Sequence, residues 1–452
     1  MKNRLKKFIP VICLIPFLTG AAGYQIAGER FTDSLYSSFA LYFTNPVSDA
    51  YNGYIEFSRW TAPLVTATAI LCILKNVWNN LFWRLSLLCQ EDSAAVYSDE
   101  AIRIQFDQGT KAIYPGDEFK PYAKEHLILF SSDERSLAFY EAHKSQFEKK
   151  PVYIGLKDLE LGLVREVRGV TLFDINGSIA RLLWKNIALW KSDQKAWNIV
   201  IYGSNPLAQE IMSAGLQLNL FSLKQSIKYH YISENLFFQI KHPHMPLMNE
   251  DEITYYETRD PGIWEVISHA DRIIVAEQIP LDVLQTIVVK ANNKIVYYYS
   301  PEEGDGGDYI AFKTLIPFGR KTELFTDENI RRQRLIRNAV ERNRQYAEAY
   351  HSEKDWNHLS GFLQLSNISS ADFGEVLLSL PSDVSDEELA ELEHIRWCRF
   401  HYLHYWQYGV PEHEKSKDEE RRIHKDLVPY HQLKYEEKEK DMATVRAFRK
   451  KA

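Results

Sequence analysis

The chain has 452 residues, enough for about three domains at roughly 150 residues each. Hydrophobic residues make up 45 % and charged residues 25 %, so most of the chain is expected to fold as ordinary globular protein. The net charge of −7 argues against a nucleic-acid-binding surface spread over the whole chain. The four cysteines form no CxxC pair, which favours buried thiols in a reducing compartment over a disulfide framework or a metal site.

The first 89 residues contain two strongly apolar segments. One follows four basic residues and reads FIPVICLIPFLTGAAGYQIAG from Phe8; the other reads WTAPLVTATAILCILKNVW from Trp60. About 20 apolar residues can cross a bilayer core of about 30 Å. We therefore predict two transmembrane helices, with a cleaved signal peptide as the alternative for the first. The basic N-terminus then places both chain ends in the cytoplasm.

Between these segments lies SLYSSFALYFTNPVSD, residues 34–49, which is too short and too polar to span a membrane. Its first ten residues favour a re-entrant helix, and Pro46 ends that helix in a polar turn. The order helix, re-entrant helix, turn, helix resembles a two-crossing, potassium-channel-like pore module, although no TVGYG-type filter is present. The resemblance implies pore-lining positions at Thr44, Asn45, Ser48 and Asp49. The alternative is a linker that lies on the membrane surface.

From residue 90 onward, short apolar runs alternate with helical patterns, which is typical of parallel α/β units. We predict two tandem Rossmann-like units, 90–195 and 196–325. The predicted strands are HLILF at 126–130, PVYIGL at 151–156, VRGVTLFD at 167–174, WNIVIYG at 197–203, ADRIIVAE at 270–277 and KIVYYYS at 294–300.

These units resemble the TrkA-N or RCK-type domains that gate potassium channels and transporters. That family carries GxGxxG after its first strand, where backbone amides hold a pyrophosphate. Here the second unit has only Gly203, and the first has no glycine in FSSDERSLA. Two interpretations stay open, a dinucleotide site in the second unit and a pair of structural units without a ligand.

The last third, 326–452, carries three blocks in a fixed order: WNHLSGFLQLSNISSADF, LEHIRWCRFHYLHYWQYG and HKDLVPYHQLKYEEKEKD. They resemble the bacterial ryanodine-receptor (RyR) repeat domain, although Tyr405 stands where that family often has glycine. The matching positions are Trp356, Leu359, Ser366, Asn367, Ala371, Glu393, His394, Arg396, Trp397, Trp406, Tyr408, Gly409, His424, Leu427, Pro429, Tyr430, Leu433, Lys438 and Asp441.

The residues of the C-terminal third fit a binding module. Glu393 and Trp397 are four apart and share one helix face. Aromatic faces can flank a nucleobase, and basic side chains can meet phosphates. The alternative is that the aromatic residues form the core and the charges are solvated. The predicted ligand-binding residues are Asn367, Glu393, His394, Arg396, Trp397, Arg399, Trp406, Tyr408, Tyr430 and Lys438.

The fold prediction is therefore a membrane α-helical module over 1–89, followed by the α/β units and a mainly α-helical RyR domain. We expect a bacterial inner-membrane, channel-like homo-oligomer, a tetramer by analogy, gated by a small cytosolic ligand such as an adenine nucleotide. The resemblance implies a role in anti-phage defence. No nucleophile–base pair stands out, so we predict no enzyme activity, no metal and no nucleic-acid partner. The alternatives are a regulatory subunit of a cation transporter and a membrane-anchored NAD-binding enzyme.

Overall fold

The computed structural model describes residues 2–106, 109–147, 150–164, 169–243, 245–332, 334–350, 352, 355–412 and 415–449. The chain forms two compact units, residues 1–90 and residues 91–452. Each unit has its own buried core.

The N-terminal unit consists of three helices, α1 (Lys2–Ile26), α2 (Phe31–Ala40) and α3 (Gly53–Leu88). Helix α1 packs on both of the others. The approach of α1 to α3 is close, because a Cβ at Gly23 would lie 2.9 Å from the backbone nitrogen of Ile55. Asn52 joins the same two helices: its amide donates to the Gly23 carbonyl at 2.7 Å, and its Oδ1 caps α3 by accepting from Tyr54 and Ile55.

Over the residues that the structure describes, no helix is long and apolar enough to cross a membrane. The predicted transmembrane helices, channel and inner-membrane location are therefore wrong. The sequence explains the difference in part. Helix α3 carries Glu56, Arg59, Lys75 and Arg84 along its length, and α1 ends in the weakly apolar stretch GAAGYQI.

The segment predicted to be a re-entrant helix is α2, which is followed by a turn. Its buried residues are small and mostly polar, three serines and one alanine. Ser38 donates to the carbonyl of Phe17 at 2.6 Å, so α2 is held against α1 by hydrogen bonds as well as by packing. The residues predicted to line a pore lie in the segment between α2 and α3: Thr44, Asn45, Ser48 and Asp49. Thr44 adopts a left-handed backbone conformation there.

The C-terminal unit begins with a sheet of five parallel strands in the order β2-β1-β3-β4-β5. Helix α4 (Asp133–Phe147) connects β3 to β4, and α5 (Ile175–Ile187) leads from β5 to the second sheet. Asp174 caps α5 by accepting from the Gly177 amide at 2.7 Å. The strands are β1 (Asp92–Tyr97), β2 (Thr110–Gly116), β3 (Glu125–Ile128), β4 (Val152–Leu156) and β5 (Val170–Asp174).

The second sheet has six parallel strands in the order β11-β10-β9-β6-β7-β8. Read from its other edge, this is the doubly wound Rossmann order 3-2-1-4-5-6, with β6 as the first strand. The strands are β6 (Ala196–Tyr202), β7 (Ser226–Ser233), β8 (Glu252–Glu257), β9 (Arg272–Val275), β10 (Ile295–Tyr299) and β11 (Leu315–Phe318). The helices between them are α6 (Pro206–Leu218), α7 (Phe237–Lys241), α8 (Ile263–His269) and α9 (Leu281–Lys290).

Helices dominate the remainder of the unit. One core cluster contains Leu127 of the first sheet, Ile199 of the second and Leu392 of the C-terminal helices, so these parts share one interior. The elements are α10 (Lys321–Leu324), α11 (Arg334–Tyr350), α12 (Gly361–Ser379), α13 (Asp386–Leu403), α14 (Tyr435–Arg449) and the short strands β12 (Gln407–Tyr408), β13 (Lys417–Asp418) and β14 (Ile423–His424).

A glycine allows α5 and α6 to pack closely. Trp184 on α5 is fully buried, and its Nε1 donates to the Ile211 carbonyl at 2.7 Å. A Cβ at Gly215 on α6 would lie 2.7 Å from Cζ2 of that indole.

We expect Gly215→Ala to lower the free energy of unfolding by about 1–3 kcal/mol despite the better helix propensity of alanine. Urea denaturation measures the change. Gly361→Ala is the control, because a Cβ there meets no atom within 4 Å; equal effects at both positions would contradict the packing argument.

Candidate functional site

A cavity of about 740 Å³ lies among α11, α12, α13 and α14; we call it the C-terminal cavity. Its volume falls within the range of about 300–1,000 Å³ that is usual for small-molecule sites. The residues that matter for its chemistry are Arg342, Asn367, Ser370, Glu393, His394, Arg396, Trp397, His401, His424, Asp441, Thr444 and Phe448.

Local sequence fixes the two helices that carry most of these residues. Ser360 caps α12 by accepting from the Leu363 amide at 3.4 Å, and Ser385 caps α13 by accepting from the Glu388 amide at 3.2 Å. Three acidic residues in the first turn of α13 stabilise the helix, because they lie at the positive end of its dipole. Pro381 follows shortly after α12, which ends at Ser379.

The floor of the cavity holds one carboxylate between two guanidinium groups. Arg396 donates to Glu393 through Nε at 2.8 Å and Nη2 at 3.0 Å. Arg342, from α11, reaches the same carboxylate at 3.4 Å, and the Ser370 hydroxyl also donates to it. Burial would raise the pKa of Glu393, but the two arginines outweigh it and hold that pKa below its usual value. Burial lowers the pKa of Arg342 to about 10, so it stays charged at neutral pH.

A second ion pair lies beside the first. His394 Nδ1 is 3.4 Å from Asp441 Oδ2. Burial opposes its protonation, yet Cys398 and Asp441 raise the pKa of His394 well above its usual value. Two guanidinium groups and one imidazolium therefore face two carboxylates, those of Glu393 and Asp441. Around Glu393, two guanidinium groups share one carboxylate, and this local excess of positive charge favours an anionic group on a ligand.

One wall of the cavity is formed by three aromatic rings, those of Trp397, His401 and His424. Trp397 packs against His401, with ring centroids 4.0 Å apart, and against His424 at 5.0 Å. Burial lowers the pKa of His401 well below its usual value and lowers that of His424 to about 4. Both imidazoles are therefore neutral at pH 7. This wall offers flat, uncharged faces, on which a heteroaromatic ring can stack.

Of the ten predicted ligand-binding residues, five line this cavity: Asn367, Glu393, His394, Arg396 and Trp397. The other five do not. Trp406 is buried and stacks on Phe362, and Tyr430 is buried with the Lys438 ammonium over its ring at 4.8 Å. Tyr408 is exposed on β12. The fifth, Arg399, points away from the cavity towards the second sheet.

The sequence prediction omitted several cavity residues. His401 continues the spacing of Glu393 and Trp397 by another four positions, a signal that was available. Asp441 matches the RyR pattern but was not assigned to the site. Arg342 and Ser370 lie on other helices, and no local pattern ties them to Glu393.

Arg399 is buried in a polar site that joins α13 to the second sheet. Its Nη2 donates to Asp251 at 2.8 Å and to Asn249 Oδ1 at 2.6 Å. Its Nε and Nη1 donate to the carbonyls of Leu247 and Leu216, both at 2.9 Å. The side chains of Arg399 and Asp251 are both fully inaccessible to solvent. We call this pair the Arg399–Asp251 latch.

Cys398, His394 and Asp441 have the order of a nucleophile, a base and an orienting acid. The Cys398 sulfur is 3.4 Å from His394 Nε2, but the same nitrogen is 2.8 Å from the Val428 carbonyl. A carbonyl only accepts, so Nε2 carries a proton. Cys398 is fully buried and is not among the residues that line the C-terminal cavity. Its sulfur therefore has no access to a ligand in that cavity.

Side chains of the protein itself bond the backbone amides at the start of α6, where a Rossmann fold binds its nucleotide. A Rossmann pyrophosphate lies at the N-terminus of the helix after the first strand. Here Glu277 Oε2 accepts from the Ser204 amide at 2.9 Å at the start of α6, and Asn205 Oδ1 accepts from Ala208. A carboxylate at that position repels phosphate. Glu234 follows β7 directly, at the end of the second strand of the Rossmann order.

Comparison with known proteins assigns part of the chain. Residues 369–450 match the RyR domain family. This confirms the predicted RyR domain, which contains most of α12 together with α13 and α14, and it gives no support to the predicted pore module or TrkA-N-like units. No curated protein matches the chain. A crystal structure of malic enzyme from Entamoeba histolytica is similar over 85 % of this chain and 86 % of that chain, with 10 % identity and a TM-score of 0.26. That likeness bears on neither activity nor ligand.

The RyR domain and the two Rossmann-like parallel sheets fit a ligand-sensing regulatory protein. The charged floor and the aromatic wall of the C-terminal cavity both come largely from the RyR domain. Over the described residues, no cluster of histidine, cysteine and acidic side chains is arranged to hold a metal ion.

Proposed function

We propose that this chain is a regulatory protein whose RyR domain binds a small anionic ligand with a flat aromatic ring, a nucleotide by chemical class. The observation that carries the proposal is the C-terminal cavity, where Arg342 and Arg396 share the single carboxylate of Glu393. An anionic group there meets a surplus positive charge, and a base can stack on Trp397. Binding, with no chemical step, is the proposed activity; the predicted homo-oligomer stays a prediction.

The charge of the cavity supplies a direct test of this function. Thr444 lines the cavity from α14, and we expect Thr444→Glu to weaken nucleotide binding at least about tenfold, because the new carboxylate repels an anion at close range. Thr444→Gln has the same shape without the charge, and it should retain most of the affinity. Isothermal titration of the full chain with a panel of adenine, guanine and pyrimidine nucleotides measures both variants.

Ionic strength and a variant outside the cavity distinguish a charge effect on binding from a general loss of structure. The difference between the Glu and Gln variants should shrink at high ionic strength, since salt screens exposed charge. Lys438→Gln removes a cation that lies over Tyr430 outside the cavity, and it should leave the affinity unchanged. Equal binding by the two Thr444 variants, or no binding of any nucleotide at millimolar concentration, would reject the proposal.

A further inference from the structure

The C-terminal cavity is joined to α6, the helix that follows β6 of the second sheet, by a continuous chain of side-chain hydrogen bonds. Arg396 holds Glu393 with Nε and Nη2, and its Nη1 donates to Ser369 Oγ at 2.8 Å. Ser369 Oγ is in turn 2.6 Å from Gln217 Oε1 on α6. We call these four residues, Glu393, Arg396, Ser369 and Gln217, the relay.

The direction of each bond in the relay is fixed by chemistry. A guanidinium only donates, so the Ser369 hydroxyl accepts from Arg396 and must give its one proton to Gln217. The Gln217 amide nitrogen donates to the Ser213 carbonyl at 3.1 Å, which holds that side chain on α6. Movement of Arg396 therefore removes one of the two partners that hold the Ser369 hydroxyl in place, and the bond to Gln217 loses that support.

Helix α6 extends from Gln217 of the relay to the point between β6 and β9 where the strand order of the second sheet reverses. It begins at Pro206, directly after the Ser204–Asn205 turn that follows β6, and it ends at Leu218 beside the relay. At its start the Ser204 amide is bound by Glu277, and the Ser204 hydroxyl accepts from the Glu234 amide. Helix α6 therefore connects the relay with the loops at the carboxyl ends of β6, β7 and β9 through one continuous helix.

We propose that occupancy of the C-terminal cavity is signalled to the second sheet by opening of this relay. The inference rests on the proposed function. An anionic group that enters the cavity competes with Glu393 for the Arg396 guanidinium, which has a fixed number of donors. When Arg396 turns to the ligand, its bond to Ser369 is lost and the hydrogen bond between Ser369 of α12 and Gln217 of α6 is weakened. The relay therefore has two states. In the closed state Arg396 bonds to Ser369, and in the open state, with a ligand bound, this hydrogen bond is broken.

Hydrogen exchange of the full chain without any ligand tests the relay itself. Ser370→Ala removes the hydroxyl that holds Glu393 and should speed exchange of amides in α6 about fivefold, the effect of one hydrogen bond. Gln217→Met should do the same, and the double variant should add nothing to Gln217→Met. Asn367→Ala is the matched control, because Asn367 also lines the cavity from α12 but, among the residues that the structure describes, its side chain donates to Leu363 of its own helix. Unchanged exchange in α6 for Ser370→Ala, or additive effects in the double variant, would overturn the inference.

Adenosine monophosphate is the probe for the occupied state. We expect it to speed exchange in α6 of the wild type and to leave α6 unaffected in Gln217→Met. Because coupling is reciprocal, Gln217→Met should bind the probe about fivefold more tightly, since the relay no longer opposes binding. If the probe does not bind but the variants behave as expected, the nucleotide assignment fails and the relay stands. If the probe binds and α6 does not respond, the relay fails and the proposed function stands.

Discussion

Replacement of Arg399 by methionine should lower the free energy of unfolding of the C-terminal unit by about 3–5 kcal/mol. Methionine fills much of the same space but leaves Asp251 as a buried charge without its cation. The remaining donors to Asp251, from Gln225, Asn249 and the Ile227 amide, are neutral. Two backbone carbonyls, of Leu216 and Leu247, lose their partner as well. Urea denaturation followed by tryptophan fluorescence measures the loss.

A double-mutant cycle shows whether charge is the cause. Asp251→Asn alone should also destabilise, because it leaves Arg399 uncompensated. The double variant should be more stable than the sum of the single losses predicts, since each change removes the penalty that the other creates. Strictly additive losses would mean that the Arg399–Asp251 latch contributes through packing alone.

Replacement of Glu393 by glutamine is expected to be similarly costly, about 3–5 kcal/mol at pH 7. The amide has almost the same shape, yet it removes the one carboxylate that Arg342 and Arg396 both bind. Glu387→Gln is the control on the same helix: Glu387 is exposed in the first turn of α13, and its loss should cost no more than about 1 kcal/mol.

The cost of Glu393→Gln should depend on pH in a defined direction. The pKa of Glu393 is lowered in the folded protein, so its stabilising effect is present above the unfolded pKa of about 4.3. It is lost as pH falls through the lower folded value. The gap in stability between wild type and variant should therefore be constant from pH 5 to pH 7 and shrink below about pH 4. A gap that widens on acidification would contradict the lowered pKa.

The central strands were predictable because they are continuous apolar runs. WNIVIYG at 197–203 and KIVYYYS at 294–300 are buried on both faces, and both are strands. Strands β7 and β8 were missed, since SIKYHYIS and EITYYE place Lys228, His230 or glutamate among the apolar residues. Such patterns are close to those of surface loops. With β7 unseen, the acidic residue at its end, Glu234, could not be assigned.

The N-terminal prediction failed for a related reason. Runs of leucine, isoleucine and phenylalanine predict membrane-spanning helices, but the charged and small residues between them make α1 and α3 less apolar than such helices. Within the candidate site, the four-residue spacing on α13 was enough to pair Glu393 with Trp397. Arg342 comes from a helix 51 positions upstream, and only the tertiary fold shows that it shares the same carboxylate. Arg399 was predicted to meet a ligand phosphate because an isolated sequence does not reveal a buried partner.

The Arg399–Asp251 latch also bears on the order in which the chain acquires its structure. Its two charged residues are 148 positions apart. During synthesis, the second sheet and the loop that contains Asp251 emerge long before α13. Until Arg399 of α13 is present, the Asp251 carboxylate lacks its cationic partner and stays hydrated by water. Contacts of such sequence separation form slowly, because a large loop must close first. The second sheet therefore reaches its final packing only after the RyR domain has been synthesised. A chain that stops before α13 should be cleaved by proteases around residues 245–251.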